Sequence, residues 1–178
     1  MGKSFLTMIQ RILLKLKKLL YSPEKWARYL GVRLGDNCMV GKDHWSTEPY
    51  LITIGNHVQL TDGVCIHTHG GGNCVRIFNP TFDCFGKVVI EDWAYIGSGA
   101  HIMPGVTIGR GALVAAGSIV TKSVKPGTLV GGNPARFICT VEEYYNKNRQ
   151  FNIETKGINP YEKKKRLLAL PDSIFIKK

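Results

Sequence analysis

The chain has 178 residues, 44% of them hydrophobic, enough for one domain with a sizeable core. Its net charge of +11 sits at the ends: eight Lys/Arg against Glu24 over residues 1–33, nine against five acids over 141–178, and seven against seven between. A neutral body with basic ends excludes a nucleic-acid face along the body, and five cysteines without a C-x-x-C pair exclude a disulfide frame and point to a reducing compartment.

The N-terminus reads FLTMIQRILLKLKKLLY. Ile9, Ile12, Leu13, Leu16, Leu19 and Leu20 follow helical spacing, with Gln10, Arg11, Lys15, Lys17 and Lys18 on the other side. The apolar run is too short, and lacks the A-x-A site, for a secretory signal. A membrane span needs roughly 20 mostly apolar residues, and lysines interrupt this stretch. Two readings stay open for residues 1–20: an amphipathic helix lying on an anionic membrane face, or one docked on its own or a neighbouring subunit. Ser22 then suits an N-cap, Pro23 the first helical position and Gly31 the end of a short second helix.

From residue 34 the pattern changes to a repeat. Ile90, Ile96, Ile102, Ile108, Val114 and Val120 recur every six residues, and Ala94, Ala100, Val106, Ala112, Ser118 and Val124 follow four behind them. Ile54, Leu60 and Ile66 lie in the same frame, whereas Leu34 and Val40 are two residues out of phase, with an irregularity near KDHWSTEPY. A six-residue period is not helical. Each six makes one short strand and one turn, and three sides close a coil of 18 residues whose strands stack at ~4.8 Å. The expected fold is an all-β solenoid, a parallel β-helix burying one apolar column. Beyond it, Thr140-Val-Glu-Glu143 fits a capping box for a helix toward Gln150. Asn159-Pro160 starts another helix that Pro171 stops, and EKKKRLLAL reads as its solvated basic face. The organisation is thus 1–33 basic amphipathic, 34–140 β-helix with a loop at 67–87, and 141–178 a basic helical extension.

The run VVIEDWAYIGSGAHIMPGVTIGRGALVAAGSIVTKSVKPGTLVGGNPAR resembles the hexapeptide-repeat acyltransferases over roughly residues 34–140. IMPGVTIGRGALVAAGSIVTK and GGNPAR match the acetyltransferase branch with sugar or small-molecule acceptors. The resemblance implies a left-handed coil, an exception to the usual right-handed crossover. No nucleotidyltransferase domain precedes the coil.

Between Ile66 and Val88 the apolar frame lapses at Gly72, Phe78 and Cys84, so 67–87 reads as a loop thrown out from the coil. In similar proteins a Thr-His pair on such a loop carries the catalytic base, here Thr68-His69. The chemistry suits imidazole, which titrates near neutrality and can take a hydroxyl proton and return it to a departing thiolate. His67, directly after the in-frame Ile66, is the runner-up. Gly70 stands where relatives usually carry Asp, which leaves Asp62 or Glu91 to orient the ring. A metal reading would use His67, His69, Cys65, Cys74 and Cys84, but no structural-zinc spacing is present, and the histidines lack the spacing of the γ-class carbonic anhydrases. No metal is expected. His44, His57 and His101 read as surface histidines.

By matching motif, the resemblance places acetyl-CoA along the coil between subunits of a homotrimer. Ser98 and Ala116 would line the pantetheine channel, Thr121 and Lys122 come next, and Arg136 lies near the nucleotide. Lys and Arg suit phosphates, though Cys139 stands where a second basic residue is sometimes found. Tyr95 and Asp62 are candidates for the acceptor, and Trp93, Phe78 and Phe82 for an aromatic platform.

The resulting expectation is an acetyl-CoA-dependent O-acetyltransferase acting on a sugar hydroxyl, of a bacterial surface polysaccharide or its precursor. Its expected place is the cytoplasm, with possible peripheral contact at the inner membrane face. Two alternatives stay in the enzyme class: an amino-sugar N-acetyltransferase and a small-molecule or antibiotic O-acetyltransferase. A third is a non-catalytic β-helix that binds or scaffolds.

Overall fold

The computed structural model describes residues 2–42 and 45–177, with side chains from residue 11 onward. Two helices come first, α1 (Gly2–Leu20) and α2 (Pro23–Leu30). Ser22 accepts from the Lys25 N–H, Pro23 takes the first turn, and Gly31 closes α2 at φ 105°, a left-handed conformation that glycine adopts without strain.

Eleven short strands follow with the six-residue rhythm: β1 (Arg33–Leu34), β2 (Ile52–Ile54), β3 (Gln59–Leu60), β4 (Cys65–Ile66), then a single helical turn α3 (Gly72–Val75), β5 (Val88–Ile90), β6 (Tyr95–Ile96), β7 (His101–Ile102), β8 (Thr107–Ile108), β9 (Leu113–Val114), β10 (Ile119–Val120) and β11 (Thr128–Gly131). They form three parallel sheets, β1-β2-β5-β8, β3-β6-β9-β11 and β4-β7-β10. From β2 to β10, consecutive strands go to successive sheets. Ile90 pairs with Ile108, Ile96 with Val114 and Ile102 with Val120, so one coil takes the expected 18 residues. β12 (Arg136–Thr140) then turns back antiparallel on β11.

The repeat residues are the core. Ile90, Ile96, Ile102, Ile108 and Val114 are fully buried, as are the small residues Ala100 and Ser118 four places behind. The smallness has a cause: the chain bends there and little space remains inside the corner. Gly97 and Gly109 answer a second constraint. A Cβ on Gly97 would strike the backbone of Ala116 one coil on, and one on Gly109 the backbone of Pro126.

Two insertions into the 18-residue coil occur, both at the corner leading into the β1-β2-β5-β8 sheet. Nine positions separate Trp45 from Ile54, which hold equivalent places to Ile102 and Ile108, six apart. The extra chain folds into a 3-10 turn at Pro49–Leu51 and carries Glu48. Three extra residues here, less one missing between Val40 and Trp45, make the two-residue phase slip at Leu34 and Val40, so that Leu34 pairs with Ile54 twenty positions on. One coil later, 24 positions separate Ile66 from Ile90. The loop between them adds three sixes, which is why the frame resumes unshifted after it.

The chain divides into two compact units, Met1–Val141 and Glu142–Lys178. The second holds two helices, α4 (Val141–Asn148), beginning after Thr140, and α5 (Pro160–Leu168). Asn159 caps α5 by accepting from the Glu162 N–H.

Candidate active site

The loop leaves the coil at Thr68 and returns at Gly86, whose N–H donates to the Thr68 carbonyl at 2.8 Å. The His69 and Phe85 backbones pair in a single antiparallel bridge beside that closure, and the two rings lie 5.8 Å apart. His69 therefore stands on the neck of the loop, where the coil holds it, rather than at the tip. Phe78, farther out, is 88% exposed.

The neck rests on the corner below it. Glu48 reaches up from that corner, and His69 Nδ1 lies 2.7 Å from its Oε2. The Thr68 hydroxyl donates to the same oxygen at 2.8 Å, and the Thr47 hydroxyl to Oε1 at 2.7 Å. Ser46 Oγ lies 2.6 Å from Thr68 Oγ1 and accepts from the Thr68 N–H. Thr68 has one hydroxyl proton and gives it to Glu48, so Ser46 is the donor to Thr68. Thr68 is fully buried, and the Glu48 side chain is 17% exposed.

The electrostatics follow from this packing. The Thr47 hydroxyl above all holds the Glu48 carboxyl below the usual carboxylate range; burial opposes this, while Thr68 and His69 reinforce it. Glu48 is thus an anion at neutral pH, able only to accept. It fixes the proton of neutral His69 on Nδ1 and leaves Nε2 as the basic nitrogen. That nitrogen makes no hydrogen bond among the described residues, and the His69 side chain is 40% exposed.

The expected orienting acids lie elsewhere. Glu91 accepts from the Arg110 N–H at the corner between β5 and β6, and Asp62 sits in the turn between β3 and β4. Glu48 takes the role because each corner residue has its nearest neighbours one coil away, not along the chain. The same stacking pairs His67 with His101, Nε2 to Nδ1 at 3.0 Å. Burial first, then His101 and His69, pushes the His67 imidazole below its ordinary value. His67 thus faces another imidazole where His69 faces a carboxylate. His57 stacks on Trp93 at 4.1 Å, at a different corner from Phe78, so one chain does not bring Trp93 and Phe78 together. His44 lies outside the described residues. Cys65, Cys74 and Cys84 are free thiols, and among the described residues no three His, Cys, Asp or Glu side chains converge as a metal site would require.

The remaining candidates fall into two groups. Lys122 and Arg136 line one groove of about 550 Å³, with Lys125 and Ser123 beside them and Val120, Val124, Val130, Ala135 and Phe137 as its apolar wall. Thr121 precedes Lys122 at the same corner. Lys122 stands two coils beyond Thr68 at the loop's corner, roughly 10 Å along the stack. The groove fits a long molecule with an apolar arm and a phosphate end. Ser98 and Ala116 lie at another corner, where the Gly117 N–H donates to the Ser98 carbonyl. Ser98 and Asp62 line a second hollow of about 540 Å³ with Gln59 and Thr61, and Tyr95 pairs in register with Gln59.

Comparisons with known proteins agree with this architecture. The family described as bacterial transferase hexapeptide (six repeats) matches residues 87–122. Protein CapG of Staphylococcus aureus is 43% identical over 166 residues, 90% of this chain and 95% of that one. A hexapeptide-repeat-containing acetyltransferase from Vibrio cholerae superposes with a TM-score of 0.60 at 29% identity, covering 74% of this chain and 89% of its own. A Vibrio cholerae O1 biovar eltor structure of such an acetyltransferase, complexed with acetyl coenzyme A, superposes at 0.56 with 30% identity, covering 71% of this chain and 82% of its own.

Proposed function

This chain belongs to the hexapeptide-repeat acetyltransferases, and from that premise we propose that it transfers an acetyl group from acetyl-CoA to a sugar hydroxyl, with His69 as general base. The observation that carries the reading is the His69–Glu48 pair: a ring held at Nδ1 by a largely buried carboxylate, in a side chain 40% exposed on the loop neck. A hydroxyl is a poor nucleophile until its proton leaves. His69 Nε2 takes that proton as the oxygen attacks the thioester carbonyl, and returns it to the sulfur as the carbon–sulfur bond breaks. Glu48 holds the Nδ1 proton throughout and stabilises the imidazolium between the two transfers. In this reading Lys122 and Arg136 hold the phosphate end of acetyl-CoA, and the apolar wall of their groove takes the arm.

The proposal extends to assembly. Ser98 and Ala116 lie at a different corner from Lys122 and Thr121, so one chain does not gather them. A homotrimer of left-handed coils would complete each site from the corners of two neighbours. The acceptor in this account is a sugar of a bacterial surface polysaccharide or its precursor, and transfer occurs on the cytoplasmic side. The test is incubation of the protein with acetyl-CoA and a panel of defined oligosaccharides, reading thiol release and product mass together. Acceptor-dependent thiol release with an acetyl ester on the sugar supports the reading. Acetylation only at an amino group would move the protein to the N-acetyltransferases.

A further inference from the structure

The first helix has no part in the chemistry above, yet it exposes both an apolar stripe and a basic face. Residues 1–20 contain no Asp or Glu. Ile12, Leu13, Leu16, Leu19 and Leu20 lie at one-turn and two-turn spacings on one stripe of α1, and all five are at least 47% exposed. Arg11, Lys15 and Lys18 project on the opposite side. The helix is nevertheless held in place, because its C-terminal end is tied down by polar contacts rather than by this stripe. Lys17 turns inward, its Nζ donating to the Tyr29 hydroxyl at 3.2 Å and sitting 4.4 Å over the Tyr29 ring. Lys42 donates to the Leu19 carbonyl at 3.3 Å. No helix among the described residues is long and apolar enough to cross a membrane.

We propose that α1 is an in-plane membrane anchor, docking the leucine stripe into the face of a bilayer rich in anionic phospholipid. The α1 helix of a second copy is a competing occupant, and charge argues against it. Pairing two such helices would set basic side chains against basic side chains with no acid on either helix to neutralise them. An anionic leaflet supplies both partners at once, acyl chains for the stripe and phosphates for the flanking Lys and Arg. The tethered end would fix how the coil stands on the surface, so that an acceptor held on a lipid carrier could be met at a set height.

The test uses the full chain without substrate, so it stands or falls independently of the acetyl-transfer reading. The protein is sedimented with vesicles of phosphatidylethanolamine and phosphatidylglycerol, and separately with phosphatidylcholine vesicles. Binding to the anionic vesicles alone, weakened by raised salt, is the expected result. A Leu16→Glu/Leu20→Glu variant should partition at least about tenfold less, and Arg11→Glu/Lys15→Glu similarly, with melting temperature and particle size unchanged. Equal binding to phosphatidylcholine, or none to either, overturns the proposal. So does a leucine variant that changes particle size while its vesicle partition stays the same, which would assign the stripe to contact between chains.

Discussion

Replacing Glu48 by Ala is the perturbation that isolates the positioning of His69. The substitution removes the partner of Nδ1 and leaves the imidazole in place. Three staggered wells at χ1, two ring orientations and two tautomers then become accessible, about a dozen states of which one presents a basic Nε2 outward. Orientation alone therefore accounts for roughly tenfold in kcat, and loss of the negative charge beside the imidazolium raises this to about 10²-fold. Glu48→Gln keeps the size and an acceptor oxygen but not the charge, so it should fall between the parent and the Ala variant, at about tenfold below the parent. Thr68 and Thr47 lose an acceptor in the Ala variant, and Thr68 is buried, so folding is followed alongside. The assay is steady-state thiol release from acetyl-CoA at fixed acceptor, with the melting temperature measured on the same samples. The expected pattern is a fall in kcat with KM for acetyl-CoA little changed. A kcat within about twofold of the parent in a folded Glu48→Ala protein would refute the role, as would a loss confined to KM.

Three further outcomes follow from other parts of the molecule. Lys122→Ala and Arg136→Ala should each raise KM for acetyl-CoA by about tenfold or more with kcat retained, since each removes a charged partner from the same groove. Gly97→Ala should destabilise by about 1–3 kcal/mol in urea unfolding, because the new Cβ meets backbone one coil away that has nowhere to go. His67 has its folded-state value pushed down from the ordinary 6.5, so as pH falls through that region the unfolded chain takes up a proton before the folded one does. Stability should therefore decline as pH drops below about 6.5, and His67→Gln should flatten that decline in urea midpoints measured across pH.

The six-residue spacing reads directly as a core because one kind of contact repeats: each Ile or Val meets its equivalent one coil away, so the pattern is written along the chain. The site is different. Glu48 and His69 are 21 residues apart, and the corner that brings Glu48 under the loop lies in the stretch where the frame slips. Asp62 lies only seven residues from His69, yet it and Glu91 each stand at another corner of the coil. The signal that points to Glu48 is the slip itself. Extra residues in one corner, STEPY, sit one coil before an excursion at the same corner, and they contain a single carboxylate directly after two aliphatic hydroxyls. His101 escaped in the same way: an outward-facing strand histidine gains meaning only when stacking sets it against His67. In α1 the stripe is legible from spacing, whereas the Lys17–Tyr29 tether needs the turn between the helices to be known.

Whether His69 moves the proton in an acetyl transfer is tested most directly by comparing the parent with His69→Ala. Acceptor-dependent thiol release from acetyl-CoA is measured for both at equal concentration, with folding checked by melting temperature. The expected result is a loss of about 10²–10⁴-fold in kcat with the fold and acetyl-CoA binding intact. Turnover within a few-fold of the parent would contradict it and return the proton transfer to another group.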